Sequence, residues 1–215
     1  MKRLTEEKLD ELLEAGVEEF ARSGLSGANM RAIAERAGIS VGVLYKYYED
    51  KEDLFHACLD RSLEALNSVL REAAGNEASL KEYVRRLIRL LLRFSKEHSA
   101  YVRLYCTLAA SSGESAARLA DKIEGISAKI YTEYIASGQE SGHLRQDMDS
   151  GMSAFFFDNL LMMIQFAGCC DYYRERFRLY CGGDLEEQEE RLEREILKFL
   201  ESAFKFNEAD SVRGE

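Results

Sequence analysis

A chain of 215 residues with no proline, five cysteines and a formal charge of −10 is long enough to bury a substantial core without covalent staples. The acidic balance excludes a general nucleic-acid coat, which needs a basic field over its whole surface. The odd, irregularly spaced Cys58, Cys106, Cys169, Cys170 and Cys181 fit neither a disulfide framework nor a paired metal site, so reduced thiols in a cytoplasmic protein are expected, with no metal and no cofactor.

The N-terminus carries no basic, apolar leader; Thr5 followed by Glu6 and Glu7 reads as a helix cap with acids at the positive end of the dipole. A first helix is expected from Thr5 to Arg22, with Leu9, Leu12, Leu13, Val17 and Phe20 on one face and Ser23-Gly24 as its stop. Asn29 caps a second helix through Ala37, and Gly38 ends it. Ser40 then caps a third from Val41 to about Tyr48, and Asp50 caps a fourth from Lys51 to Ala74. Longer helices follow over 79–97, 100–110, 114–139, 150–180 and 185–206, before a polar, frayed tail at 207–215. The fold class is therefore all-α. Met152 to Cys170 approaches the length of a membrane span, but Asp158, Asn159 and Gln165 inside it point to a buried helix of a soluble protein, with no membrane partner.

Two short helices meeting across Gly38 and Ile39 have the dimensions of a helix-turn-helix, in which the second helix enters the major groove. Spacing alone leaves an ordinary corner of a helical bundle open. The order of residues adds more: Phe20, Gly24, Met30-Arg31, Ile33-Ala34, Ala37-Gly38, Ser40, Gly42, Leu44-Tyr45, Tyr47-Tyr48, Lys51 and Leu54 run without a gap through about fifty residues. This pattern resembles the N-terminal domain of the TetR family of one-component bacterial transcriptional regulators. The resemblance implies a DNA-binding set of Asn29, Arg31, Ser40, Val41, Gly42, Tyr45, Lys46, Tyr47 and Lys51. Tyr45, Tyr47 and Lys51 match family residues that hold backbone phosphates, the lysine at a helix N-terminus. Ser40, Val41, Gly42 and Lys46 lead the short helix, and few side chains are left to read bases. Three positions depart from the pattern: Ala28 replaces a common hydroxyl residue, Tyr48 a usual phenylalanine, and Val41 a polar or basic reader, though valine can meet a thymine methyl. Residues 1–55 also hold eight basic against twelve acidic side chains, so a modest salt dependence is expected.

The resemblance further implies a domain of residues 1–50 that binds DNA, and a larger domain, 51–206, that binds an effector and dimerises, with the fourth helix linking them. The helices at 150–180 and 185–206 match those that pair two subunits over a palindromic operator. A hydrophobic or amphipathic effector, aromatic or fatty-acyl, is implied, with Phe94, His98, Tyr101, Tyr105, Tyr131, Tyr134, Asn159, Met163 and Phe166 as candidate lining residues; each also fits plain core packing. No nucleophile or carboxylate stands at a diagnostic spacing from His98, so no enzyme is expected. The alternative is a helical ligand-binding protein that has lost specific DNA reading.

Overall fold

A computed structural model describes residues 4–73, 80–109 and 114–205. The expected tail at 207–215 and the end of the fourth helix at Ala74 lie outside the described residues. Among the described residues ten α-helices follow one another: α1 (Glu6–Gly27), α2 (Met30–Arg36), α3 (Val41–Leu44), α4 (Lys51–Ala73), α5 (Leu80–Glu97), α6 (Ser99–Ala109), α7 (Glu114–Glu140), α8 (Ser150–Cys169), α9 (Asp171–Cys181) and α10 (Glu189–Phe204), with a 3-10 turn at Leu185–Glu187 before the last. No strand occurs among the described residues, and the chain is all-α.

The chain divides into two compact units, the boundaries falling within α4, at the α5–α6 junction and between α6 and α7. In the first, α1 packs against α6 and α2. Leu12, Val17, Phe20, Ile33, Leu44 and Leu54 are almost wholly excluded from solvent, and the Phe20 and Phe55 rings meet edge to face at 5.1 Å. Burial of such side chains is the main term holding a small helical unit together, about 1.5–3 kcal/mol for each. Gly24 adopts φ +66°, which a side chain resists, and breaks α1 where the sequence places its stop; the last turn then resumes to Gly27.

In the second unit α8 is central, packed on α5, α7 and α9, while α10 lies along α5. The α5–α10 seam is laced by Lys81–Glu201 at 2.7 Å, a two-pronged Arg89–Glu193 pair at 2.6 and 2.9 Å, and Lys96–Glu189. Close approach depends on two glycines. A Cβ on Gly168 would lie 2.7 Å from Ser95 Oγ, and one on Gly138 would lie 2.7 Å from the Leu144 side chain.

Two expected elements differ. The helix foreseen over 150–180 breaks at Cys170, which is extended (φ −103°, ψ 122°), so α8 and α9 are separate. The third helix ends at Leu44: beyond it, Lys46 and Tyr47 donate to carbonyls only three residues back. By length and composition α8 would suffice to cross a membrane, yet Ser153, Gln165 and Phe166 within it are buried in this unit.

Candidate nucleic-acid interface and apolar cavity

Each helix start in the α2–α3 corner is tied by a side chain. Asn29 Oδ1 accepts the Arg31 and Ala32 amides at 2.9 and 3.4 Å, and Ser40 Oγ accepts Val43 N–H at 3.3 Å. Asp50 Oδ1 accepts Asp53 N–H at 2.8 Å while the Asp53 carboxylate takes Glu49 N–H at 3.0 Å, a reciprocal cap that starts α4. Gly38 supplies the left-handed turn at φ +66°, and Ile39 N–H reaches back to Ala34 O at 2.9 Å. Beneath this frame Ile33, Ala34, Ala37 and Leu44 are all at most 2% exposed, small enough side chains for α3 to lie close against α2.

One residue that sequence reading passed over anchors the corner. Glu19 on α1 is buried, accepts the Asn29 amide at 3.2 Å, and is paired with Arg22. The Arg22 guanidinium, helped by that amide and opposed by burial, holds the Glu19 carboxyl below its usual range. The acid therefore joins α1 to the start of α2. Its signal in the sequence was an acidic residue one position before Phe20 in an apolar helix, which also reads as one more solvated glutamate.

The predicted DNA-binding residues occupy this corner and its flanks. Asn29, Arg31, Ser40, Gly42, Tyr45 and Lys46 are exposed; Val41, Tyr47 and Lys51 are half-buried. A Cβ on Gly42 would meet nothing within 4 Å, so the fold itself does not require glycine there. Two predicted phosphate contacts already have protein partners. Tyr47 Oη accepts Leu4 N–H at 2.5 Å, and Lys51 Nζ donates to Ser26 O at 2.9 Å and Ala28 O at 3.3 Å. A phenol retains its own proton to donate, and an ammonium has three. Tyr48 is half-buried, its phenol pushed up by burial and then by Cys58 and Asp53.

The nine candidate effector residues do not form one site. Tyr131 and Tyr134 line a cavity in the second unit together with Tyr83, Val84, Ile130, Ile135, Leu144, Phe157, Leu200 and Phe204. Its interior measures about 50 Å³ beneath an open mouth, and no charged side chain among the described residues lines it. Burial, and then Tyr83, Asp158 and Glu124, push the Tyr131 phenol well up, so it is neutral and a donor. Tyr83 and Tyr134 stand 5.8 Å apart, and Tyr131 meets Phe157 edge to face at 5.2 Å. Met163 belongs instead to a wider groove of α8, α9 and α10. Phe94 is buried, and Phe166 packs on Tyr173 at 5.1 Å. Asn159 Nδ2 turns back to Phe155 O at 2.7 Å. His98, Tyr101 and Tyr105 belong to the first unit, where His98 stacks on Tyr101 and the Tyr101 hydroxyl donates to Glu14 beside Arg61. Tyr83, Phe157, Leu200 and Phe204 were missed because the cavity is assembled from helices far apart in the chain.

Residues 12–58, the stretch containing this corner, match the family model described as bacterial regulatory proteins, tetR family. Among curated proteins the chain is similar to the uncharacterized HTH-type transcriptional regulator YhgD of Bacillus subtilis (23% identical over 155 residues, covering 72% of this chain and 81% of that protein). It is also similar to the HTH-type transcriptional repressor KstR2 of Mycobacterium tuberculosis (29% identical over 147 residues, 65% of this chain and 70% of that protein). Other curated relatives at higher identity are matched over about half their length. Among solved structures, the ketosteroid regulator KstR2 superposes with a TM-score of 0.65 at 22% identity over 94% of this chain and 96% of that one. AibR, solved with isovaleryl coenzyme A and operator DNA, gives a TM-score of 0.59 at 19% identity over 75% and 85% of the two chains.

Proposed function

We propose, for a chain whose N-terminal domain belongs to the TetR family of bacterial regulatory proteins, a cytoplasmic, sequence-specific transcriptional regulator that represses from a palindromic operator and is released by a hydrophobic effector. Residues 1–50 form the DNA-binding domain in this reading, and 51–206 the effector-binding and dimerisation domain, with α4 as the link. The observation that carries it is the corner itself: a short helix held by caps and a miniature core, with Gly42 exposed on it and Tyr45 and Lys46 exposed just beyond its end. An αα corner that served packing alone would bury more of α3 than Leu44. Tyr47 and Lys51 then act twice, bracing the N-terminal segment and the α1–α2 connection while offering their remaining donors to phosphate.

A second copy would supply the other half-site, about 34–36 Å away along the duplex. Met152, Phe155 and Phe156 on α8 and Phe199 on α10 are exposed in the single chain, with Phe155 at 59% and Phe199 at 58%, the composition of an interface core. The effector seat is the tyrosine-lined cavity, and its uncharged walls favour a neutral hydrophobic molecule with a group that hydrogen-bonds a phenol. KstR2 is described as a ketosteroid transcriptional regulator and AibR was solved with isovaleryl coenzyme A, whose acyl group is apolar; both support an effector with a hydrophobic part for this chain. Effector and operator oppose each other if the ligand-bound state has the lower DNA affinity; a coupling of about 1–3 kcal/mol gives about 5–150-fold release.

Selection of bound duplexes from a random pool at low salt, followed by salt titration of the winner, tests the reading. A palindrome with a modest salt slope is expected. Folded protein that enriches no sequence would favour the alternative of a ligand-binding helical protein that has lost specific DNA reading. Light scattering at micromolar concentration should give a dimer, and a monomer would remove the two-half-site mechanism.

A further inference from the structure

Cys169 and Cys170 stand apart from everything the proposed regulator uses. Consecutive side chains diverge in a helix and point to opposite faces in a strand, so neighbouring cysteines rarely bring their sulfurs together. Here they do: Cys169 closes α8, Cys170 turns the chain in extended geometry at the head of α9, and the two Sγ atoms lie 3.8 Å apart. A disulfide would need about 2.05 Å, so the two sulfurs are not joined, and Cys169 Sγ lies 3.4 Å from the Gln165 carbonyl. Cys170 also holds the cap position of α9 without any side-chain cap bond, where serine, threonine, aspartate or asparagine would serve the backbone. The corner thus presents two convergent soft donors.

We infer that Cys169 and Cys170 form a vicinal dithiol site for a trivalent organoarsenical, a thiophilic centre that takes two sulfurs and keeps one carbon substituent. The geometry selects this class. Cys181, at the far end of the eleven-residue α9, is about 16 Å along the helix, too far to act as a third sulfur. A tetrahedral zinc site needs four ligands, and no group of three or more His, Cys, Asp or Glu suited to a metal occurs among the described residues. The Phe166 carbonyl accepts Cys170 N–H at 2.8 Å and its ring packs on Tyr173 at 5.1 Å, which puts aromatic surface at the corner and favours an aryl substituent. Both thiols are buried, so entry requires α9 to lift. No residue of α9 is buried although the helix packs along α8, so lifting it uncovers little of the core. In the reaction with an arsenic(III) oxide, two S–H bonds and the As–O double bond break and two As–S bonds form. One water leaves, carrying both protons, and nothing is oxidised or reduced.

The test uses the reduced full-length chain and phenylarsine oxide, with intact mass after gel filtration in excess 2-mercaptoethanol. One phenylarsenic group per folded chain is expected, resistant to the monothiol and removed by dithiothreitol. Cys169→Ser and Cys170→Ser should each lower retention at least tenfold, and Cys181→Ser should leave it unchanged. Retention surviving both single changes, or absent from the folded wild-type chain, would overturn the site. Should either serine variant misfold by circular dichroism, alkylation mapping of the wild-type adduct decides: protection confined to Cys169 and Cys170 supports the site, whereas protection elsewhere sinks it.

Discussion

The corner around α2 and α3 and the trio α8–α10 are stabilised in opposite ways. In the corner, polar side chains on Asn29, Ser40, Asp50, Asp53 and Glu19 each answer a particular backbone amide, over a core of four or five small apolar residues. The trio rests on apolar contact and leaves Phe155, Phe156, Leu179, Tyr180 and Phe199 exposed. Capping fixes a geometry in which a particular side chain has one role; apolar packing tolerates exchange among side chains of similar size. The first suits a surface that must present fixed groups to a ligand, and the second suits surfaces that meet another copy or a greasy molecule.

The sharpest way to break this contrast is to empty the small core. Phe20→Ala should destabilise by about 3–5 kcal/mol in denaturant unfolding, whereas Phe199→Ala, on an exposed position, should change subunit folding by less than about 0.5 kcal/mol and show instead in dimer dissociation. Equal costs for the two would erase the distinction.

A half-buried acid in the apolar half comes next. Burial, and then the Glu124 carboxylate, push the Asp158 carboxyl up to about 6. The folded chain therefore holds that proton more tightly than the unfolded chain, for which about 3.9 is usual. Stability should fall as pH rises from about 4 to about 6 and then level off. Asp158→Asn should flatten that slope and stabilise by about 2 kcal/mol at pH 7, read from melting curves across pH. A slope of the opposite sign would contradict the assignment.

Smaller effects separate frame from reader within the corner. Asn29→Ala removes a cap and should cost about 1 kcal/mol of stability. Lys51→Ala should weaken operator binding nearly equally across sequences and, through the lost bonds to Ser26 and Ala28, also lower stability slightly; intact binding would remove its phosphate role. Gly42→Ala is the most discriminating. With open space at its Cβ and better helix propensity, the variant should fold as well or gain up to about 1 kcal/mol, yet bind operator less well or with altered preference.

Much of the corner was legible because capping residues and left-handed glycines announce themselves: Asn29, Gly38, Ser40 and Asp50 all do what their residue types suggest. The break between α8 and α9 was hidden by a continuous run of helix-compatible residues in a chain without proline; its one mark, an acid at Asp171 opening the new helix, is weak. Effector residues were harder still. The search for an aromatic lining with a few polar groups singled out Tyr101, Asn159 and Phe166, which the fold engages locally with Glu14, the Phe155 carbonyl and Tyr173, while the cavity joins Tyr83 to Phe204 across more than half the chain.

Tyr83, Tyr131 and Tyr134 are three of eleven tyrosines in a chain with no tryptophan. Its near-ultraviolet emission is thus the emission of phenols alone, and more than a quarter of them face one cavity. A molecule that entered there would dim or shift that light directly, so the protein carries its own optical gauge of occupancy and needs no attached dye.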